Sequence, residues 1–196
     1  MLSVRYLFES EKIKLVTSNN NKLREYRNFG LKNIGIEKGK DLPEVDGSDI
    51  EVIIYKAKDA GKNRIVDDTS LTVEGAEIGV NIRWLLDNLY HLKGKKARWC
   101  VLLGLNTGNH IKVYKGELLG KIGTPIGISK DSFGFDPFFI PSKNNINNKS
   151  VEQLEKEGKK DSYSARKFAV DNLRKDNYIK KIIISEIPEW TGKYQH

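Results

Sequence analysis

A polar turn that follows a short apolar strand is the first candidate site. The sequence T-S-N-N-N-K begins at Thr17, directly after the strand-like residues 13–16. A helix start leaves backbone N–H groups unsatisfied and is the positive end of the helix dipole, so a sharp strand-to-helix turn suits phosphate. Thr17, Ser18 and Asn19 can donate hydrogen bonds, and Lys22 lies about one turn into the helix. The alternative is an ordinary helix cap, with the lysine in solvent.

Two adjacent carboxylates form the second candidate site. Asp67 and Asp68 follow the apolar residues of a predicted buried strand, and Glu44 lies in the proline-containing turn D-L-P-E-V-D-G. Carboxylate oxygens are the ligands that a hard cation such as Mg²⁺ prefers. A carboxylate that does not bind the metal could orient or deprotonate a water molecule. The alternative is that the aspartate pair caps a turn.

The third candidate is the aromatic segment S-F-G-F-D-P-F-F-I-P, which begins at Ser132. Phe133 and Phe135 could stack on a flat base, and Asp136 could accept hydrogen bonds. The two later phenylalanines are predicted to pack in the core. For Phe133 and Phe135, the alternative to base stacking is that they also pack in the core.

A basic cluster near an apparent helix start is the fourth candidate. Lys160, Ser164 and Arg166 lie in the sequence K-K-D-S-Y-S-A-R. The planar fork of an arginine matches purine acceptors or phosphate oxygens. The alternative is a basic helix start that faces solvent.

Hydrophobic periodicity predicts the elements that position these residues. Strands are predicted at 13–17, around Gly35, at 64–68, where the strand ends in the acids, and at 138–140. Helices are predicted at 20–28, 49–62, 82–92 and 164–174. Residues 97–105 and 110–118 are predicted to form a hairpin across 106–109, and 179–184 is a strand or a last helical stretch. This alternation predicts an α/β fold with a mixed sheet.

The composition points to an anionic partner and a reducing compartment. The chain has 196 residues, a formal net charge of +8 and a single cysteine. Positive charge favours nucleotides, nucleic acid or phosphorylated metabolites, although a lysine-rich surface alone would also explain it. A lone Cys100 in an apolar run predicts a buried thiol and a cytoplasmic location. No apolar run approaches the roughly 20 residues of a membrane helix, and no membrane partner is expected.

Taken together and in this order, the segments resemble the inosine triphosphate pyrophosphatase family. T-S-N-N-N-K-L-R-E is similar to that family's T-x-N-x-x-K-x-x-E, and D-L-P-E-V-D-G to its acidic turn. I-V-D-D-T-S-L resembles V-E-D-S/T-x-L, and F-G-F-D-P-F-F-I-P resembles G-F/W/Y-D-P-x-F-x-P. K-D-S-Y-S-A-R resembles K-N-x-x-S-H-R. The similarity runs from Lys12 to Leu173, and the shared order makes it specific.

The resemblance implies a fold and a reaction. The expected fold is an elongated mixed β-sheet flanked by helices, with two lobes and a central substrate cleft. Residues 1–12 would be an N-terminal extension and 13–196 a single domain of two lobes. The expected reaction hydrolyses non-standard purine nucleoside triphosphates, such as ITP, dITP and XTP, to the monophosphate and pyrophosphate. That reaction cleanses the nucleotide pool, and a homodimer is expected.

The resemblance also implies a role for each candidate residue. Glu44 and Asp68 would bind Mg²⁺, and Asp68, Asp67 and Lys22 would be catalytic. The residues that would bind substrate are Thr17, Ser18, Asn19, Lys22, Lys56, Thr69, Arg83, Phe133, Gly134, Phe135, Asp136, Lys160, Ser164 and Arg166. The residues from Phe133 onward would form the base pocket. The phosphates would be held by Thr17, Ser18, Asn19, Lys22 and Lys56, with Arg83 at a cationic position that faces them.

Two of the departures from the family pattern bear on the expected site. Two other functions are also compatible with the sequence. Ala165 stands where the family has histidine, which leaves the preferred base undecided, and Asp67 is one methylene shorter than the usual glutamate. One other function is a Maf-like pyrophosphatase for other modified nucleotides. The second is a basic nucleic-acid-binding protein that retains a nucleotide pocket. The chain lacks aromatic RNA-binding signatures, so no specific nucleic acid partner is expected.

Overall fold

The computed structural model describes residues 13–17, 19–38, 42–76, 88–126, 134–145 and 147–195. Several predictions fall on other residues and lie outside the described part of the chain. They are the extension 1–12, residues 82–87 of a predicted helix, and the candidate site residues Ser18, Arg83 and Phe133.

A mixed sheet of seven strands forms the framework of the described residues. The strands are β1 (Lys14–Val16), β2 (Gly35–Glu37), β3 (Arg64–Val73), β4 (Lys96–Asn106), β5 (His110–Ile122), β6 (Phe139–Pro141) and β7 (Lys180–Ile183). Their order is β2-β1-β3-β4-β5-β6, and β7 pairs with β5. β1 is parallel to β2 and β3, whereas β6 and β7 are antiparallel to β5. The predicted α/β fold, with a mixed sheet flanked by helices, is confirmed.

Four α-helices accompany the sheet within the described ranges. They are α1 (Asn20–Asn28), α2 (Asp49–Ala60), α3 (Val151–Lys156) and α4 (Ala165–Arg174), with 3₁₀ turns at Leu89–Leu92, Lys160–Tyr163 and Ile184–Glu186. α2 begins after Ser48, which forms a reciprocal capping box with Glu51. It ends before Gly61, whose φ of 86° is left-handed, so the helix is shorter than predicted.

β3 extends further than the sequence pattern predicted. The strand was expected to end at the two aspartates, but it continues to Val73. Beyond the acids, Leu71 and Val73 are buried and Thr72 is exposed, which is the alternation of a half-buried strand. The prediction of a strand end at the acids is therefore wrong, because the burial of these two residues keeps the chain extended. The aspartates lie in the middle of the strand.

Close packing against β4 sets the position of α2. A Cβ atom on Gly104 of β4 would lie 2.9 Å from both the Ala57 Cβ and the Ile53 carbonyl oxygen of α2. Only glycine allows this approach of helix to strand. The buried side chain of Asn106 also donates from Nδ2 to the Ala57 carbonyl over 2.9 Å. These contacts fix α2, and with it Lys56, against the sheet.

The chain divides into two compact units. The first comprises the chain up to Asp68, together with Val101–Gly116 and the chain from Phe168 onward. The second comprises Thr69–Cys100 and Glu117–Lys167. β3, β4 and β5 each contribute residues to both units. The two lobes of a single domain, the cleft and the separate status of residues 1–12 stay predictions.

Two expectations from composition concern Cys100 and membranes. Cys100 is a free thiol and is buried, which confirms the predicted core position. None of the helices among the described residues has both the length and the apolar character that crossing a bilayer requires.

Candidate functional site

Two consecutive aspartates on β3 each receive a lysine from a different helix. Lys22 of α1 places its Nζ 2.6 Å from Oδ1 of Asp67, whose side chain is only 2% exposed. Lys56 of α2 places its Nζ 2.9 Å from Oδ1 of Asp68, whose side chain is 25% exposed. Neighbouring side chains on a strand point to opposite faces, which explains why the two lysines come from different elements.

Lys56 also contacts the third predicted acid. Its Nζ lies 2.6 Å from Oε1 of Glu44, so one ammonium group bridges two carboxylates. The Lys56 side chain is 11% exposed and that of Glu44 is 43% exposed. The three residues come from a loop, a helix and a strand, and they are more than a helical turn apart in sequence. Glu44, Lys56 and Asp68 thus form a carboxylate–ammonium–carboxylate cluster.

The charges in this cluster shift two pKa values. Burial alone would lower the pKa of Lys56, but the attraction of Asp68 and hydrogen bonds to Glu44 and Asp68 outweigh it, so the pKa is raised. Burial raises the pKa of Asp68; Lys56 opposes this shift, while Glu44 and Asp67 add to it. Asp68 is therefore a stronger base than an ordinary aspartate, and Lys56 keeps its positive charge.

The cluster could hold a divalent cation through few protein ligands. Within the described ranges, no group of three or more His, Cys, Asp or Glu side chains is arranged to hold a metal ion. Glu44 and Asp68 nevertheless direct carboxylate oxygens at one positive charge. Mg²⁺ is commonly bound by one or two carboxylates, with water and substrate phosphates as the remaining ligands. The arrangement fits that pattern of coordination.

The turn before α1 caps its helix with its own side chains. The Thr17 hydroxyl accepts a hydrogen bond from the Asn19 backbone N–H at 3.1 Å. Oδ1 of Asn19 accepts one from the Lys22 N–H at 3.4 Å. This is the helix cap considered as the alternative to phosphate binding. Phosphate binding by Thr17 and Asn19 stays a prediction, and it would require a substrate to share or replace these hydrogen bonds.

In the second unit, a buried aspartate lies next to a lysine of the predicted base pocket. Asp136 is 3% exposed, and its Oδ2 lies 2.9 Å from the Nζ of Lys160. The same Nζ lies 2.9 Å from Oε2 of Glu155. The Asp136 carbonyl accepts a hydrogen bond from the Glu152 N–H, which ties the aspartate to the start of α3. The contacts fix the Lys160 ammonium between two carboxylates.

The aromatic segment packs mostly inward. Phe135 is 7% exposed, and its ring centroid lies 5.4 Å from that of Trp99 in an edge-on contact. It also lies 6.2 Å from the centroid of Phe139. This is the core packing considered as the alternative, so base stacking by Phe135 stays a prediction. Gly134 precedes it with a left-handed φ of 53°, which disfavours a side chain there.

α4 begins with two buried polar residues from the basic cluster. Ser164 is 1% exposed, and its hydroxyl caps the helix by accepting from the Lys167 N–H at 3.2 Å. Arg166 is 3% exposed and donates from Nη2 to the hydroxyl of Thr69 at 3.3 Å. The solvent-facing alternative for Ser164 and Arg166 is therefore excluded by their burial.

The structure brings the described candidates together in small groups. In the first unit these are Thr17 with Asn19, Lys22 with Asp67, and Glu44 with Lys56 and Asp68. In the second unit they are Asp136 with Lys160, and Thr69 with Arg166. Ser164 caps α4, and Gly134 and Phe135 lie beside Asp136 in sequence.

Two contacts to this site were absent from the sequence interpretation. Glu155 was not predicted to meet Lys160, although the two lie five positions apart around the end of a short helix. Gln195 was not predicted to contact the Glu44 segment, yet its backbone N–H donates to the Glu44 carbonyl at 2.8 Å. No local pattern could have indicated the second contact, because the two residues are distant in sequence.

Comparison with known proteins gives a consistent result. The model of the Ham1 family matches residues 13–176. A protein of Scheffersomyces stipitis named inosine triphosphate pyrophosphatase is 31% identical over 191 residues, covering 83% of this chain and 95% of that protein. A protein of the same name from Puccinia graminis f. sp. tritici is 29% identical over 188 residues, with the same shares covered.

Proposed function

Because the chain belongs to the Ham1 family, we propose that it hydrolyses non-canonical purine nucleoside triphosphates such as ITP, dITP and XTP. The products are the nucleoside monophosphate and pyrophosphate, so the enzyme cleanses the nucleotide pool. The names of the two fungal relatives support this reaction, and the chain covers nearly their whole length. These two names favour the proposed reaction over that of a Maf-like pyrophosphatase.

The bridge between Glu44, Lys56 and Asp68 is the observation that carries the mechanism. The family generally uses a divalent metal, and we propose that the metal here is Mg²⁺. Glu44 and Asp68 would hold it, since their oxygens already approach one positive charge to within 2.6 and 2.9 Å. When bound, the metal supplies positive charge to the phosphate oxygens as they become more negative.

Lysines from two helices would neutralise the rest of the triphosphate. Lys22 pairs with Asp67 and Lys56 with Asp68. A phosphate group would exchange with that carboxylate as the partner of the ammonium. Thr17 and Asn19, and by resemblance Ser18 and Arg83, would add hydrogen bonds at the helix start. This set of donors stabilises charge that develops during cleavage of the anhydride.

Asp68 would position the attacking water. As a metal ligand, Asp68 would orient a water molecule by accepting a hydrogen bond, and its side chain keeps some contact with solvent. Asp67 is nearly fully buried and is fixed by Lys22, so it would act by holding charge beside the reaction centre. Asp68 would therefore position the water, and Asp67 and Lys22 would give electrostatic support.

Residues of the second unit would recognise the base. Arg166 and Lys160 can only donate hydrogen bonds, and hypoxanthine and xanthine offer a carbonyl acceptor at C6. Asp136 would orient Lys160, and Ser164 would fix the start of the helix that carries Arg166. Thr69, Gly134 and Phe135, with Phe133 by resemblance, would complete the pocket.

The proposal extends to the environment of the enzyme. A cytoplasmic location is supported by the single cysteine, which is free and buried. A homodimer is proposed on the family resemblance, and the proposed partner is the nucleotide rather than a specific nucleic acid.

Product analysis tests the reaction. ITP, XTP, dITP, GTP and ATP are each incubated with the protein and Mg²⁺, and the products are identified by phosphorus NMR. The expected products from ITP are IMP and pyrophosphate, and IDP with orthophosphate would contradict the proposal. Addition of EDTA should abolish turnover, and excess Mg²⁺ should restore it.

A further inference from the structure

A segment beyond the family match folds back onto the loop that carries Glu44. Residues 188–195, here named the strap, follow the matched residues 13–176. Val45 and Tyr194 form an antiparallel bridge. The Asp46 N–H donates to the Lys193 carbonyl at 2.9 Å, and the Gln195 N–H donates to the Glu44 carbonyl at 2.8 Å. The strap therefore pairs with residues 44–46 as a short strand would.

Side chains strengthen this pairing. Nε2 of Gln195 donates to the Val45 carbonyl at 3.0 Å. Nε1 of Trp190 donates to the Lys193 carbonyl at 2.8 Å, which is the same oxygen that accepts from Asp46. Val45 itself is 1% exposed, so the pairing backs onto the core. One indole group thus orients the strap carbonyl that meets the Glu44 loop.

The other end of the strap is attached to α2. The Tyr55 hydroxyl donates to the Pro188 carbonyl at 3.0 Å. The Tyr55 ring also makes an edge-on contact with Trp190 at a centroid distance of 5.2 Å. Lys58 pairs with Glu189 at 2.9 Å, but the Glu189 side chain is 91% exposed, so this ion pair contributes little to the attachment. Tyr55 is the neighbour of Lys56, so the strap joins the helix that carries the bridging lysine to the loop that carries Glu44.

Glycines at both sides of the indole show how closely the strap is seated. A Cβ atom on Gly192 would lie 2.7 Å from Cζ2 of Trp190, and one on Gly47 would lie 3.2 Å from its Cη2. The indole ring is thus held between the strap and the loop that follows Glu44. A bulkier residue at either glycine would push the ring out of this position.

We propose that the strap positions Glu44 for metal binding, and that Trp190 and Gln195 are positioning residues that act through it. The inference rests on the proposed role of Glu44 and Asp68 as metal ligands. Glu44 lies on a loop, and its side chain is 43% exposed, so few contacts of its own hold it. Interactions that orient a metal ligand commonly change metal affinity about 10- to 100-fold. The strap supplies such interactions from a distant part of the chain.

Mn²⁺ binding without nucleotide tests the strap separately from catalysis. Free Mn²⁺ is measured by electron paramagnetic resonance during titration of the protein. Trp190→Ala should weaken Mn²⁺ binding about tenfold, and Gln195→Leu should weaken it less, since only one of its two hydrogen bonds is lost. Glu189→Gln is the matched control on the same strap. Its side chain is 91% exposed and should leave the affinity within about twofold.

A cross-linked variant separates positioning from loss of folding. The hydrogen bonds on either side make Val45 and Tyr194 a non-hydrogen-bonded pair, the kind whose Cα atoms approach most closely. Val45→Cys with Tyr194→Cys, added to Trp190→Ala, should restore Mn²⁺ affinity when oxidised and lose it again when reduced. The native Cys100 is buried and does not compete.

The outcomes distinguish the two proposals. Glu44→Gln and Asp68→Asn must weaken Mn²⁺ binding for the metal site itself to stand. If they do so while Trp190→Ala binds Mn²⁺ normally, the strap inference is overturned and the site remains. If Glu44→Gln and Asp68→Asn bind Mn²⁺ as tightly as the unchanged protein, both the metal site and the strap inference fail. Both also fail if the unchanged protein binds no Mn²⁺. Unchanged ITP/ATP selectivity in Trp190→Ala is expected, because the base-recognition residues lie in the other unit.

Discussion

The guanidinium of Arg166 donates a hydrogen bond from Nη2 to the hydroxyl of Thr69 over 3.3 Å. Thr69 follows Asp68 directly on β3. The residue proposed to read the base is therefore attached to the strand that carries the proposed water-positioning carboxylate. Arg166 is 3% exposed, so its charge has little water around it and depends on polar partners.

Replacement of Arg166 should remove base selectivity. Adenine places an amino donor where hypoxanthine has a carbonyl acceptor, and a donor facing a buried guanidinium is poorly satisfied. We expect Arg166→Ala to lower kcat/KM for ITP about 100-fold and that for ATP far less. Steady-state kinetics with both nucleotides measures the change. Arg166→Lys is the matched control for charge without the planar fork. An ITP/ATP ratio that survives in Arg166→Ala would move selectivity to Asp136 or to the backbone near Phe135.

Removal of the Asp68 charge should abolish turnover without unfolding the protein. We expect Asp68→Asn to lower kcat by at least about 100-fold at saturating Mg²⁺. Burial and repulsion from Glu44 and Asp67 raise the pKa of Asp68, so its ionised form is disfavoured in the folded state. The melting temperature at neutral pH should therefore stay equal or rise. Asp161→Asn, at an exposed acid, makes the same change in net charge and should retain activity. Near-normal turnover of Asp68→Asn would remove this residue from the mechanism.

Affinity for nucleic acid should be weak and dependent on salt. The chain has a formal net charge of +8, which attracts any polyanion through counterion release. Fluorescence anisotropy with labelled DNA and RNA should show affinity that falls steeply between about 50 and about 200 mM salt, with no sequence preference. A submicromolar, sequence-selective complex at physiological salt would instead favour the nucleic-acid-binding alternative.

The unfolding free energy should fall at high pH because of Tyr114. Its side chain is fully buried, and its hydroxyl donates to Oδ1 of Asp176 at 2.7 Å. Burial, and then the hydrogen bond and charge of Asp176, raise its pKa above the ordinary 10.0. The folded state thus retains the proton that the unfolded chain releases. Stability from this group is full below the ordinary pKa and declines as pH rises above it.

Comparison with Tyr114→Phe isolates this contribution. The difference in unfolding free energy between the two proteins should shrink by about 1.4 kcal/mol between about pH 9 and about pH 11. Urea titrations at each pH provide the measurement. Tyr90→Phe, at a side chain that is 57% exposed, is the control and should show no such change. A difference that stays constant with pH would mean that the Tyr114 hydroxyl ionises equally in both states.

Local sequence patterns predicted most helices and strands, since caps and periodicity act over a few residues. The bounds of α1 were predicted, whereas the predicted α2 ran two residues too far, because Gly61 ends the helix after Ala60. The six-residue helix α3 was missed, although Ser150 and Gln153 form a capping box. Such a short helix shows too few apolar positions to reveal a period.

The site was predictable in its residue types but not in its contacts. The resemblance indicated Glu44, Lys56 and Asp68 together, whereas no spacing in the chain shows that one ammonium bridges both acids. Lys22 and Asp67 meet across 45 positions, because parallel pairing of β1 with β3 brings the following helix beside the strand. The strap lies still further from Glu44 in sequence. Contacts of this range depend on the tertiary fold, which local patterns do not encode.

The division of the chain between its two units bears on how the enzyme can evolve. The chain passes from one unit to the other at 68/69, 100/101, 116/117 and 167/168. No continuous stretch of gene therefore encodes either unit, and exchange of the second unit alone between related genes would need a crossover at all four of these points. A new base preference would therefore be acquired more readily by point mutation than by exchange of this unit alone. The alanine at position 165, where the family pattern has histidine, is a single-residue difference of this kind.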